Sequence, residues 1–115
     1  MDRNGPPPGA VTFINRFTVT GDPEEFEAAF AKVAAFMTAR PGILGHALSR
    51  HLDEPGQYVN VAVWRDAGSL RAAVAHPDFG AHAGELRRLA TSESDVYVER
   101  QRHLGGAGGR QGEAV

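Results

Sequence analysis

The segment 57–65 constrains the fold more than any other part of the chain. Its residues are mostly β-branched or aromatic, and side chains in a strand alternate between two faces, so Val59, Val61 and Val63 share one face. The other face carries Tyr58, Asn60, Ala62 and Trp64. Neither row has the charged pattern of a face in contact with water, so both sides of this strand must be covered.

A strand and a helix are predicted before this segment. Residues 11–20 are rich in β-branched and aromatic side chains, which predicts a first strand. A helix then begins where Asp22 can cap it, Pro23 suits the first helical position and Glu25 completes a capping box. Its apolar stripe at helical spacing consists of Phe26, Phe30, Val33 and Met37.

The rest of the pattern completes the order β-α-β-β-α-β. Residues 43–52 predict a second strand, which a turn at 53–56 joins to the third. Asp66 can cap a second helix, which Pro77 interrupts, and residues 95–102 predict the last strand. This order predicts an α+β fold of the ferredoxin-like type, with a four-stranded antiparallel sheet and helices on one face.

Chain length and glycine content predict one domain with two flexible ends. A chain of 115 residues is long enough for one hydrophobic core and too short for two. Residues 1–9 are polar and proline-rich, and residues 104–115 are rich in glycine, so neither segment can bury much apolar surface. The folded domain is therefore expected to span residues 10–103.

The predicted fold leaves one face of the sheet bare. Because both rows of the third strand lack charge, we expect a second copy of the chain to cover that face, as a homodimer in the form of a dimeric α+β barrel. Within each copy, we expect the three valines to pack against the helices. The row from Tyr58 to Trp64 is expected to face a cavity.

Composition excludes several classes of function. The net charge is −2 and the 12 basic residues are scattered, which argues against a nucleic-acid partner. The absence of cysteine excludes disulfides, thiolate catalysis and thiolate metal ligands. Residues 1–9 contain no apolar signal-peptide core, and no apolar run approaches membrane-spanning length, so we expect a cytoplasmic protein with no membrane partner.

Several short segments resemble the antibiotic biosynthesis monooxygenases over residues 11–101. They are Asn15-Arg16-Phe17, Ala39-Arg40-Pro41-Gly42, Tyr58 to Trp64, Pro77-Asp78-Phe79 and Ala81-His82. Members of this family with known chemistry form dimeric α+β barrels and oxidise phenolic or anthrone-type polycyclic intermediates of polyketide pathways to quinones. The resemblance implies a monooxygenase that uses molecular oxygen, with no cofactor and no metal.

The resemblance also implies site residues. Quinone-forming members line their pocket with an asparagine and a tryptophan at the spacing of Asn60 and Trp64. Arg87 occupies a setting similar to that of a family arginine, and we expect it to stabilise developing oxyanion charge. Leu70 stands where such members have a tyrosine. A mechanism that depends on that tyrosine cannot apply to this chain.

Two histidines are candidate proton acceptors. His82 lies beside an apolar helical stripe that begins at Phe79, where a neutral imidazole can accept a phenolic proton, but a buried histidine bonded to the backbone would look the same. His46 lies in the second strand, where it can reach the cavity, and the alternative is a position at an interface or at the cavity rim. The expected catalytic residues are thus Asn60, Trp64, His82 and Arg87. The expected substrate-binding residues are Asn15, Phe17, His46, Tyr58, Leu70 and Phe79.

Two alternative functions stay open. One is a ligand-binding or cyclase-like accessory protein of the same fold that performs no oxidation, which Leu70 favours. The other is a haem-degrading monooxygenase, whose asparagine before arginine matches Asn15-Arg16. Those enzymes also need a tryptophan near Ala73 and a histidine four residues after Phe79, whereas His82 follows it by three. The haem-degrading alternative is therefore the weaker one.

Overall fold

The computed structural model describes residues 6–105, which fold into a four-stranded antiparallel sheet and three helices. The elements are β1 (Val11–Val19), α1 (Pro23–Thr38), β2 (Ile43–Arg50), β3 (Gln57–Trp64), α2 (Ala67–Ala75), α3 (Phe79–Leu89) and β4 (Ala90–Tyr97). The strand order in the sheet is β2-β3-β1-β4. The predicted ferredoxin-like α+β fold is confirmed. Residues 1–5 and 106–115, most of the two segments predicted to be flexible, lie outside the described residues.

Two carboxylates start the helices at the predicted positions. The Asp22 side chain accepts a hydrogen bond from the backbone N–H of Glu25 at 2.9 Å, and Pro23 is the first helical residue of α1. The Asp66 side chain accepts from the backbone N–H of Ser69 at 2.7 Å, and this bond lowers the pKa of the Asp66 carboxyl. Both bonds satisfy backbone donors that helix geometry leaves unpaired.

The helices and the sheet enclose an aromatic core. Phe26 of α1 is fully buried, and its ring centroid lies 5.1 Å from that of Phe17 and 4.9 Å from that of Tyr58. A second buried cluster surrounds Trp64, against which Leu70 and other residues of α2 pack. Together the two clusters fix α1 and α2 on one face of the sheet.

The helices cover the face of β3 opposite to the one expected, although Asn60, Ala62 and Trp64 do face the cavity. The row that contains Tyr58, Ala62 and Trp64 is buried under the helices, whereas Val61 lies on the opposite face and is 37% exposed. The expectation that the valines pack against the helices is therefore wrong. Alternation determines which residues share a face, but it does not determine which face the helices cover. Here the helices cover the row with the larger aromatic side chains.

The last strand begins five residues earlier than predicted. β4 follows α3 without a loop, and it pairs with β1 from Ala90 opposite Val19 to Tyr97 opposite Thr12. Residues 91–95 are polar and exposed because β4 is an edge strand. The prediction was wrong because this strand lacks the apolar alternation on which the prediction relied.

No element within residues 6–105 covers the face of the sheet opposite the helices. Its centre is apolar, because Ile14 of β1 lies beside Val61, and Val61 lies beside Ala47 of β2. Arg16 and Glu93 are paired on β1 and β4 toward the edge of this face. We call this surface the bare face. Among the described residues, no helix is both long enough and apolar enough to span a bilayer.

Substituting Gly42 with alanine is expected to destabilise the fold by about 1–3 kcal/mol. Gly42 has a φ of +95° in the turn after α1, and a Cβ there would overlap the Ser69 side chain on α2. Denaturant unfolding measures the loss. Gly45→Ala is the matched control, because no heavy atom lies within 4 Å of its would-be Cβ. Equal effects of the two substitutions would contradict the prediction.

Candidate active site

A cavity of about 310 Å³ lies between the helices and the sheet. All four strands and all three helices contribute to its wall, which is mostly apolar, with Phe13 and Phe17 from β1 and Phe30 from α1. Its volume falls at the lower end of the range for small-molecule sites. The shape and apolar character of the wall suit a planar aromatic ligand.

One row of residues across the sheet places polar groups on the floor of the cavity. Asn60 of β3 is paired with Asn15 of β1, and Asn15 is paired with Ser94 of β4. All three side chains line the cavity. Neighbouring strands lie about 4.8 Å apart, so the row brings three polar side chains side by side across about 10 Å. We call these three residues the polar row.

Three buried polar atoms in the cavity wall lack hydrogen-bond partners. They are the Oδ1 atoms of Asn15 and Asn60 and the Nε1 atom of Trp64. Within residues 6–105 the only other such atom is Nε of Arg40. Leaving a buried polar group unpaired costs about 1–3 kcal/mol. Since these atoms surround one cavity, a bound ligand that offers hydrogen-bonding groups can supply the missing partners.

The indole of Trp64 is held rigidly at this site. The side chain is 1% exposed and packs against Leu70 and Ala73 of α2. Its N–H can only donate a hydrogen bond, whereas each asparagine amide offers both an acceptor and a donor. The site can therefore hold a hydroxyl or carbonyl oxygen of an aromatic ligand in a defined position.

The charged and titratable groups of the cavity lie at its rim. His46 of β2 and Arg87 of α3 line the cavity, and both side chains are exposed. No aspartate or glutamate of the described residues is in the cavity wall. In the same part of the chain, no three histidine or carboxylate side chains lie close enough together to bind a metal ion. The electrostatic character of the wall therefore favours an anionic ligand over a cationic one.

The structure brings together most of the residues that the sequence indicated. Those that line the cavity are Asn60, Trp64, Arg87, Asn15, Phe17, His46 and Phe79. His82 does not: its ring stacks on Phe36, with the centroids 5.0 Å apart and the planes inclined by 29°. Leu70 lies behind Trp64 in the second core cluster.

Tyr58 also lies outside the cavity wall. Its hydroxyl donates a hydrogen bond to Glu27 at 2.5 Å. The pKa of the phenol is raised, mainly because the group is buried and secondly because of this hydrogen bond. The phenol is thus protonated at neutral pH and serves to join β3 to α1. The sequence analysis did not indicate that Glu27 of α1 would be the partner of this hydroxyl.

Sequence reasoning missed Ser92 and Ser94, which line the cavity from β4. The cause is the misplaced last strand, which put both residues in a connecting segment. Had the strand begun at Ala90, alternation would have placed Ala90, Ser92 and Ser94 on one face.

Comparisons with known proteins agree with this geometry. Residues 10–85 match the model of the family described as antibiotic biosynthesis monooxygenase. A curated relative, deoxynogalonate monooxygenase from Streptomyces nogalater, is 50% identical over 91 residues, which is 79% of this chain and 77% of the relative.

Solved structures extend the comparison to the fold. SnoaB, a cofactor-independent oxygenase from Streptomyces nogalater, is 49% identical with a TM-score of 0.80, over 82% of this chain and 96% of that one. A conserved protein from Methanosarcina mazei has a TM-score of 0.71 at 19% identity, over 79% of this chain and 93% of that one, and so supports the fold alone. The cavity, the family match and the high identity to a curated member confirm the resemblance: the chain belongs to the antibiotic biosynthesis monooxygenase family.

Proposed function

We propose that this chain is a cofactor-independent monooxygenase that oxidises a phenolic or anthrone-type polycyclic aromatic, a polyketide intermediate, with molecular oxygen. The observation that carries the proposal is the set of three unpartnered polar atoms in an apolar cavity. Two related proteins support it: one is named a deoxynogalonate monooxygenase, and the other is described as a cofactor-independent oxygenase.

The proposed reaction needs no electron carrier besides the substrate. The reacting ring carbon loses two hydrogens, and its electrons reduce one molecule of oxygen. One oxygen atom forms the new carbonyl, and the other leaves as water with the two hydrogens. Deprotonation makes the aromatic substrate electron-rich enough to reduce oxygen. The protein therefore has to bind the substrate, orient it and accept its proton.

The residues of the cavity have separate roles in this proposal. Asn60, Asn15 and the Trp64 N–H hold the substrate oxygens and stabilise the charge that develops on them. His46 is the proton acceptor, because it is the only histidine among the described residues of the cavity wall and a neutral imidazole can accept a proton. His82 receives no role, since its ring stacks on Phe36 outside the cavity.

Oxygen uptake with 1,8-dihydroxyanthrone tests the proposal. We expect one oxygen consumed per quinone formed, turnover that survives dialysis against a chelator, and purified protein without flavin or haem absorbance. Loss of turnover on metal removal, or a stoichiometric chromophore, would overturn the cofactor-free mechanism. Tight binding of the anthrone without oxygen uptake would favour the non-oxidative ligand-binding alternative.

We further propose that the bare face joins two copies of the chain. Its apolar centre around Ile14 and Val61 and its charged edge suit a symmetric partner. Light scattering should then give twice the chain mass of 12.3 kDa. Val61→Arg should give monomers, because it places a charge at the centre of the interface.

A control variant distinguishes the loss of this interface from the general effect of adding a charge to the surface. Leu52, in the turn between β2 and β3, is 95% exposed. Leu52→Arg should therefore leave the dimer intact. A wild-type protein of 12.3 kDa at micromolar concentration, or a dimeric Val61→Arg variant, would refute the proposed interface.

A further inference from the structure

We infer that a second pocket, between the end of α1 and the side of α2, binds the phosphate group of an organic phosphate through Arg40, Ser69 and His76. The pocket has a volume of about 410 Å³, which falls within the range for small-molecule sites. We call it the junction pocket. No residue of its wall is also in the wall of the cavity described above, so the two sites are separate. The inference does not depend on the proposed function.

Arg40 places an unpaired guanidinium in the wall of the junction pocket. The guanidinium carbon lies over the Phe36 ring, 4.7 Å from its centroid, and this contact holds the planar group in place. The Nε atom is buried without a hydrogen-bond partner, and within residues 6–105 the side chain makes no salt bridge. A bound anion can supply the missing partner.

Two neutral side chains add hydrogen-bond donors to the same wall. The Nδ1 atom of His76 accepts a hydrogen bond from the backbone N–H of Asp78 at 3.0 Å, so the neutral ring carries its proton on Nε2. The hydroxyl oxygen of Ser69 accepts from Arg65 at 3.4 Å, which leaves the hydroxyl proton free to be donated. The wall thus holds a guanidinium, an imidazole N–H and a hydroxyl. A phosphate group, with three strong acceptor oxygens, matches this set of donors.

The charge balance of the junction pocket favours an anion. Among the described residues, the only carboxylate in its wall is that of Asp66, since the carboxylate of Asp78 lies outside it. One oxygen of Asp66 accepts from the backbone N–H of Ser69 at 2.7 Å, and the other lies 3.5 Å from Nε of Arg65. Arg65 therefore offsets the charge of Asp66, whereas no carboxylate of the described chain is paired with Arg40. The pocket keeps one uncompensated positive charge.

The rest of the wall favours an organic phosphate over the free inorganic ion. Pro41, Ala72 and Ala73 are apolar and line the same pocket. Because the pocket is much larger than a phosphate ion, these side chains are available to contact a short alkyl group of a phosphate ester. We therefore expect propyl phosphate to bind more tightly than inorganic phosphate.

Calorimetric titration with inorganic phosphate and with propyl phosphate tests the site. We expect each probe to bind at one site per chain, with propyl phosphate at least threefold tighter because its alkyl group is buried. An absence of saturable binding for both probes at millimolar concentration would overturn the inference, and equal affinities would contradict an organic ligand. Protein already saturated with 1,8-dihydroxyanthraquinone should give the same affinities. Loss of phosphate binding in that titration would place the phosphate in the other cavity and overturn the inference.

Variants assign the binding to the junction pocket. Arg40→Gln should weaken binding of propyl phosphate at least tenfold, and Ser69→Ala and His76→Phe about threefold each. Arg71→Gln is the matched control and should leave the affinity unchanged, because Arg71 is an exposed arginine of α2 outside the pocket wall. Equal losses in Arg40→Gln and Arg71→Gln would mean that only general positive charge attracts the anion, and would overturn the inference.

The test stays decisive if Arg40→Gln fails to fold. Ser69→Ala removes only a hydroxyl whose hydrogen bond to Arg65 is long, so this variant should melt at the temperature of the wild type. Wild-type affinity in both Ser69→Ala and His76→Phe would show that neither side chain contacts the phosphate, and would overturn the site. Because binding is measured without turnover, the result is independent of whether the anthrone is oxidised.

Discussion

Replacing Asn60 with alanine is expected to lower turnover tenfold to a thousandfold without lowering the free energy of unfolding. The Oδ1 atom of Asn60 is buried in the cavity wall without a hydrogen-bond partner, so in the free protein this amide stabilises nothing through that atom. Its removal relieves a desolvation cost in the folded state and deletes a contact to the reacting substrate. Activity and stability should therefore change independently.

Three measurements on one preparation decide the outcome: the melting temperature, the molecular mass and the turnover number. Gln57→Ala is the matched control, since it removes an amide from the same strand outside the cavity wall. A variant with Asn60→Ala that is stable and fully active would show that the proposed site is wrong. If it unfolds instead, and turnover falls only with the amount of folded protein, the amide has a structural role.

Replacing Phe26 with alanine is expected to destabilise the protein by about 3–5 kcal/mol, the largest loss we expect from any single substitution. The side chain is fully buried and its ring contacts those of Phe17, Phe30 and Tyr58. The substitution removes these contacts and leaves a cavity that the rigid sheet cannot fill. For a domain of this size, such a loss is a large part of the total stability.

Denaturant unfolding of wild-type and variant protein measures this effect. Leu52→Ala is the control, because its side chain is almost fully exposed and its loss should cost no more than about 0.5 kcal/mol. A loss below about 1 kcal/mol for Phe26→Ala would mean that the core can collapse around the missing ring.

The predictable features were those encoded by neighbours in the sequence. The two helix caps at Asp22 and Asp66 were predicted correctly, because a cap depends on residues three positions apart. Asn60 and Trp64 were correctly placed on one face, because strand alternation is a local property. Alternation along β3 thus placed two residues of the cavity wall on the same face.

The predictions that were wrong concern features that depend on packing between residues far apart in the sequence. The helices cover the row of Trp64 and not that of Val61, which follows from how α1 and α2 dock on the sheet. The start of β4 depends on its pairing with β1, where Ala90 lies opposite Val19, 71 residues earlier in the chain, and not on its own polar sequence. His82 lies on the apolar side of α3 as expected, but Phe36 of α1 occupies the space beside it.

The alternation of β3 has a consequence for how such a protein can diversify. Even-numbered residues of this strand meet the cavity side, and odd-numbered residues meet the bare face. Mutations at Asn60 or Ala62 can thus alter which aromatic molecules are accepted, without touching the surface proposed to join two copies. Mutations at Val59 or Val61 can alter self-association without touching the substrate. A single strand of eight residues thereby allows selection to act on chemistry and on quaternary structure as two nearly independent traits.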